Sequence, residues 1–478
     1  MGEADQWPTC KSLEDQQASA FLDQYHRMSQ TVPFATQLLS QSSQAPPQAG
    51  TCAAGDGVEK LAGVDEEMRA ASGMLNRLLR DSPILLLAAV LTGSSSQPEF
   101  EKQADDLFRH VLADRVVVKG QKSLEILQSL LTYLTWYHHR FDPETLQFYQ
   151  FLQLANGMVF DLGLPKKFAK IGELTPPVDH DLNEVRTFLL CYYLNCGGAV
   201  LGYDRPENMG CIGSLRNAAK ILAAFSPRQH DKEALSWVEL LYSVACHHKV
   251  GQPLACDEPP ATSRLILLGD WETAHLQAGK SPPLVSSFHF TRAYTLLKSS
   301  KAKVPSIQDS RICIHHFHEL LLGILGRELD YLIRLGIVEW AHLITTLFLL
   351  ARLGYLEAQG DNRSSSPRPS PVHDYVIRFR SLLEDLRSRS RSDMVFKAPH
   401  LLGWLDKILV AVAERAKTSE ALGGPGTEIG HRDSAYELVN SFLEKNEPQF
   451  THLQQGSNGM MISSENFWGE FMSDWLNW

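Results

Sequence analysis

Ser123-Leu124-Glu125-Ile126-Leu127-Gln128-Ser129-Leu130-Leu131-Thr132-Tyr133-Leu134-Thr135 carries leucine at 124, 127, 130, 131 and 134, the spacing of one helical face. The polar residues at 125, 128, 129, 132 and 135 fall largely on other faces, so the segment reads as an amphipathic helix. Ser123 suits the N-cap, where its hydroxyl can accept from a backbone N–H that has no partner within the helix. Glu125 lies in the first turn, where a carboxylate meets the positive helix end. Such a helix needs another element to cover its stripe.

The sequence on either side supplies more helices. Downstream, Asp142 is a cap candidate and Pro143 suits the first helical position, where a missing N–H costs nothing. Leu146, Tyr149, Leu152, Ala155, Val159 and Leu162 then form an apolar face. Gly163 can close that helix in the left-handed conformation, and Pro165 blocks its continuation. Asp181 with Glu184 reads as a capping box before Leu182, Val185, Phe188, Leu189 and Tyr192. Further helices are expected over 212–224, 231–247, 284–299, 308–335, 338–354, 374–388, 399–418 and 433–445.

Upstream, residues 12–40 read as helix broken at Pro33, and 41–58 as a Gln/Ser/Ala/Pro/Gly loop. A helix with Met68, Ala71, Leu75 and Leu78 follows. Ser82-Pro83 then starts the apolar run Ile84–Leu91. No segment alternates apolar and polar residues convincingly, and no repeat of fixed period emerges. The expected fold is all-α, a large multi-helix domain with no sheet. Its divisions are a tail at 1–17, a helical domain at 18–355, a Ser/Pro/Arg linker at 356–373, C-terminal helices at 374–455 and an acidic-aromatic tail at 456–478. The Gly-rich stretch Leu422–His431 reads as a surface loop.

Composition narrows the function classes. Of 478 residues, 44% are hydrophobic and 21% charged, ordinary values for a chain that buries a core. The formal charge is −10, with 45 Lys and Arg against 55 Asp and Glu, whereas duplex-binding surfaces draw most of their affinity from excess cations. The eight cysteines contain no Cys-x2-Cys half-site for zinc, and their scatter reads as reduced intracellular thiols. Met1–Pro8 lacks the apolar core of a signal peptide. Ile84–Leu91 and Leu347–Ala351 fall short of the about 20 residues a bilayer span requires, so no membrane partner is expected. Asn362-Arg363-Ser364 matches a glycosylation acceptor only formally.

Catalytic and metal motifs are weak. Cys313-Ile314-His315-His316-Phe317-His318 is the most metal-like run, with His315 and His318 near one helix face and Cys313 close, but Leu320, Leu321, Leu322, Ile324 and Leu325 follow directly and read as the buried stripe of a helix. His318-Glu319 opens like a zincin motif, yet Leu322 stands where the second histidine belongs. Gly279-Lys280-Ser281 lacks the earlier glycine of a phosphate loop, since position 274 is alanine. No nucleophile elbow or dinucleotide fingerprint occurs. His138-His139 and His247-His248 read as helix-end or surface pairs, and Cys191 and Cys196 as buried inert thiols. No catalytic residue, cofactor or metal is expected, and the chain does not read as an enzyme. Arg387, Arg389 and Arg391 alternate with serines, either as a solvated loop or as a weak import or phosphate-contacting patch. Ser364–Ser370, near Pro367 and Pro371, is a candidate phosphorylation stretch.

Three stretches together resemble the fungal-specific transcription factor domain, the large helical region that follows the zinc cluster in that family. They are Ser123–His138, Leu154–Leu164 and Arg186–Leu194. Phe21-Leu22, Tyr25 and Val32-Pro33-Phe34 look like its opening, and Ser82-Pro83-Ile84-Leu85 like its next helix. The likeness is densest over 18–225 and fades beyond about 350. It departs from the family at Val185-Arg186 and Leu190, where paired arginines and a glycine are usual. The six-cysteine DNA reader is absent from these residues, since only Cys10 and Cys52 precede residue 190. The resemblance implies a regulatory domain: a nuclear transcriptional regulator or co-regulator, shuttling with the cytoplasm or not, of a fungal (secondary) metabolic gene cluster. It would act through other transcription factors or coactivators, with homo- or heterodimers open, and would reach DNA only indirectly. One alternative is a zinc-cluster factor whose N-terminal reader is missing from this sequence. Another is a helical small-molecule binder or enzyme.

The C-terminal tail interleaves Glu465, Glu470 and Asp474 with Phe467, Trp468, Phe471, Met472, Trp475 and Trp478. Acidic-hydrophobic alternation suits a segment that docks an induced helix into a coactivator groove. Phe467, Trp468, Phe471, Trp475 and Trp478 are the candidate docking residues. The other reading is a terminal helix packed on the chain's own domain.

Overall fold

The computed structural model describes residues 77–93, 98–140, 147–169, 179–198, 209–245, 268–269, 271–273, 281–299, 305–333, 335–360 and 371–392. These residues form an all-α fold, with no strand among them. In chain order the helices are α1 Pro83–Gly93, α2 Pro98–Leu112, α3 Leu124–Thr135, α4 Phe148–Asp161, α5 Leu164–Lys167, α6 Asp179–Gly198, α7 Ile212–Phe225 and α8 Ala234–Ala245. They continue as α9 Pro282–Ser299, α10 Ile307–Leu325, α11 Leu329–Ile333, α12 Ile337–Gly360 and α13 Pro371–Ser392. A π turn, Ala113–Val118, ends α2 and leaves Val117 and Val118 exposed. Short 3-10 turns occupy Tyr137–Arg140 and Gln229–Glu233.

The side chains bury into two main cores. The first is built from α1 to α8 around α3, the second from α9 to α13. Leu240, Leu268, Trp271, Leu284 and Phe288 form a small apolar bridge where α8 meets α9. The α3 leucine stripe is buried at 127, 130, 131 and 134, as its period requires. Ile126, Ser129 and Tyr133 are buried as well, because α1, α4, α6 and α12 all pack on this helix. The expected solvent face of α3 is therefore largely absent. Its polar groups bond inside the protein: Gln128 Nε2 donates to Thr187 Oγ1 on α6 at 3.0 Å, and Ser129 Oγ to the Glu125 carbonyl at 2.6 Å.

The Ser123 cap forms as expected, its hydroxyl accepting the Ile126 N–H at 3.2 Å. Glu125 does more than face its own helix end, because Oε1 accepts the Ile84 N–H in the first turn of α1 at 2.9 Å. Glu233 serves α9 similarly, accepting the Ser281 N–H at 2.9 Å as well as the Ser281 hydroxyl. Both helices begin Ser-Pro. Proline removes one of the donors left open at a helix start, and a carboxylate from a neighbouring element takes another.

Several expected boundaries move. α4 starts at Phe148 with Gln147 before it, so Asp142 does not cap it; residues 141–146 lie outside the described set. Gly163 is left-handed, with φ 71°, and closes α4 as expected. Pro165 lies in the first turn of the one-turn α5, which begins at Leu164 directly after Gly163. α6 starts at Asp179, which puts Asp181 inside the helix, and Glu184 pairs with Lys167 instead of completing a capping box. The expected 308–335 helix breaks after Leu325 at Gly326. α12 continues to Gly360, beyond the linker boundary expected at 356, and α13 begins at Pro371. The Arg387–Arg391 ladder is the end of α13, not a loop, because Tyr375, Phe379, Leu383 and Leu386 hold that helix on the second core. The expected elements before residue 77, the linker segment 361–370 and everything after 392 lie outside the described residues.

Candidate functional site

The most site-like feature of the fold is the seam where its two cores meet, at the first turn of α12. Ile337 and Val338 belong to the first core, while Trp340 and the residues after it belong to the second. Backbone proximity makes the seam tight. A Cβ added at Gly197, near the end of α6, would lie 2.3 Å from Val338 Cγ2. One added at Gly336 would lie 3.3 Å from both Thr135 Cγ2 and the Thr135 carbonyl oxygen. Glycine is needed at 197 because two helices pass too closely for any side chain.

A polar contact crosses the same junction. The Tyr193 hydroxyl of α6 donates to Glu339 Oε1 on α12. Burial raises the Glu339 carboxyl above its ordinary pKa, while the Tyr193 hydroxyl and the Glu339 and Gly336 backbone amides pull it down. Burial, and then the neighbouring carboxylate, pushes the Tyr193 phenol up, so it stays protonated and acts as a donor. Its ring also meets Trp237 of α8 edge-on, with centroids 5.6 Å apart.

The sequence reading misplaced His138-His139. After α3 ends, the chain tightens into the Tyr137–Arg140 turn and tucks both histidines inside instead of leaving them at a surface helix end. His138 is 0% exposed, and its ring centroid lies 6.4 Å from that of Trp340. Among the described residues neither of its ring nitrogens has a hydrogen-bond partner, and the Trp340 Nε1 has none. Burial first, then His139 and Arg140, holds His138 well below the ordinary imidazole pKa. It is a neutral core residue and not a cationic helix cap.

Beside this turn lies a compensated charge cluster. The Arg140 side chain is 7% exposed, sits over the Tyr133 ring at 5.1 Å, and lies 3.8 Å from Glu101 Oε1 and 3.5 Å from Asp105 Oδ1. Asp105 also accepts the Tyr133 hydroxyl at 2.8 Å and Arg109 Nε at 2.7 Å. Two guanidinium groups and two carboxylates balance in charge, as buried ions must. Burial and then Asp105 raise the Tyr133 phenol, so it too is a donor and not a base. The cluster pairs no nucleophile with a base. Its chemistry is that of orienting α2, α3 and the 3-10 turn.

The Cys313, His315 and His318 trio does not converge. The Cys313 thiol points toward the Ala293 carbonyl of α9 at 3.6 Å and is pushed up to about 12 by burial and then Asp309. His318 instead bonds the Tyr375 hydroxyl of α13. His316 of the same run pairs with a residue that nothing in the sequence joins to it, its Nδ1 lying 3.0 Å from His289 Nδ1. Its place on the Cys313, Phe317, Leu320 face was a legible sign of burial. Among the described residues no group of three or more His, Cys, Asp or Glu could hold a metal ion. Cys191 and Cys196 are buried as expected, and Cys191 Sγ donates to Asn156 Oδ1 at 3.3 Å.

The tail residues Phe467, Trp468, Phe471, Trp475 and Trp478, together with His247-His248 and Ser364–Ser370, lie outside the described residues. Among the described residues no helix is long and apolar enough to cross a membrane. Comparison with known protein families, with curated proteins and with solved structures finds no match.

Proposed function

We propose that the chain is a transcriptional regulator or co-regulator, of the kind that controls fungal metabolic gene clusters, acting in the nucleus through protein partners. The observation that carries this reading is the placement of the three stretches resembling the fungal transcription factor domain. They fall on α3, α4 and α6, which pack on one another in the first core. The formal charge of −10 favours contact with protein over contact with a phosphate backbone. Other transcription factors and coactivators are the proposed partners, with Phe467, Trp468, Phe471, Trp475 and Trp478 as the docking anchors.

The test is a tethered reporter. The full chain, fused to an unrelated DNA-binding domain, is expected to change transcription from a promoter carrying that domain's site. A fusion that leaves the reporter unchanged at equal protein abundance overturns the proposal. Buried tryptophan anchors contribute about 2 kcal/mol or more in docked grooves. Trp468→Ala with Trp475→Ala is therefore expected to cut the reporter effect by about tenfold or more, measured at matched expression. An unaltered effect would assign the tail to packing on its own domain.

A further inference from the structure

The second core concentrates enclosed imidazoles at its helix contacts. His289 of α9 meets His316 of α10 across the contact between those helices. His342 of α12 stacks on Phe290 of α9, with centroids 4.0 Å apart and the rings 13° from parallel. His138 lies at the seam against Trp340. His138, His342 and His316 are buried, so a charge on any of these rings would have to be carried out of water.

We infer that the second core, with its seam to the first, is a proton-responsive unit: in mild acid, the protons that His289, His316, His342 and His138 take up on opening loosen α9, α10 and α12 while the first core stays folded. This reading is independent of the transcriptional proposal. The groups around each ring give a proton little to pair with. His316 faces His289 and Arg292 from α9 and His315 on its own helix; burial first, then these three neighbours, lowers it to about 3. Burial alone lowers His342 to about 3. His289 is lowered by burial and by His315, with Glu319 as the one opposing group acting on it. His138 faces His139 and Arg140.

A histidine depressed in the folded state stabilises the fold fully only above the ordinary imidazole pKa, about 6.5. That contribution is lost as pH falls below this value, because the unfolded chain then binds more protons. Glu339 runs the other way, since its raised pKa makes the seam easier to keep closed as pH falls. The histidine variants separate the two contributions.

Hydrogen exchange of the full chain at about pH 7 and about pH 5, corrected for intrinsic rate, tests the inference. Exchange in 282–299, 307–325 and 340–353 is expected to quicken tenfold or more relative to 124–135 and 182–194. His316→Gln combined with His342→Phe is expected to remove most of that difference. Equal loosening of both cores, no loosening, or a variant indistinguishable from the parent would overturn it. Should the variant not fold at neutral pH, the imidazole Cε1–H titrations of the unaltered chain decide: ordinary midpoints for His316 and His342 overturn the inference, and depressed ones support it.

Discussion

Gly197→Ala is expected to lower the stability of the protein by about 1–3 kcal/mol, the usual cost of forcing an extra methyl into a packed interior. The new Cβ would lie 2.3 Å from Val338 Cγ2, 2.7 Å from Cγ1 and 3.0 Å from Cβ. Val338 is β-branched and fully buried, so it cannot swing its methyl groups aside as a long flexible side chain could. Relief must come from moving α12 away from α6, which strains the Tyr193–Glu339 contact and the Gly336–Thr135 approach together. Val338→Ala alone leaves a small cavity and is also destabilising. The double variant should cost less than the two singles summed, with a coupling of about 1 kcal/mol or more. Denaturant unfolding at fixed pH measures each corner of the cycle. A Gly197→Ala variant within about 0.5 kcal/mol of the parent would show that α6 and α12 do not pass so closely.

Tyr193→Phe should cost about 1.5–3 kcal/mol, the range for hydrogen bonds to charged groups. The phenylalanine ring preserves the edge contact with Trp237, so the loss isolates the hydroxyl. Its pH dependence has a definite sign. The folded-state pKa of Glu339 is already raised, so this carboxyl weakens the fold as pH climbs above its unfolded value and does so less in acid. Removing the donor raises that pKa further. The deficit of the variant relative to the parent should therefore grow from about pH 5 to about pH 7.5 and shrink in the opposite direction. Unfolding curves of both proteins at the two pH values give the comparison, which also cancels the histidine contribution they share. A deficit that does not change with pH would mean the hydroxyl contributes only packing.

The all-α fold was legible because helical periodicity repeats along the chain, and the leucines at 127, 130, 131 and 134 are buried in α3. Local punctuation was readable where a single residue decides it, as at the Ser123 cap and the left-handed Gly163. What sequence could not supply was neighbours. Ser129 and Tyr133 are buried because α3 is surrounded, a property of the assembly and not of the segment. The helix-end reading of His138 failed for the same reason, since a turn 202 residues before Trp340 gives no sign of meeting it. The seam rests on long-range coincidences, Gly197 with Val338 and Tyr193 with Glu339, that no local spacing encodes. The burial of His316 was legible, because it shares the apolar face of Cys313 and Phe317.

The proposal of a regulator that works through partners has a direct physical test in the chain's own contact with DNA. An acidic assembly of packed helices offers surface for other proteins, while the cations that release counterions from a duplex are outnumbered in this chain, 45 against 55. Fluorescence anisotropy of a labelled duplex, titrated with the purified chain at about 0.15 M salt, should stay flat to micromolar protein. Saturable binding of the chain alone, weakening steeply and linearly in log affinity against log salt, would contradict the account.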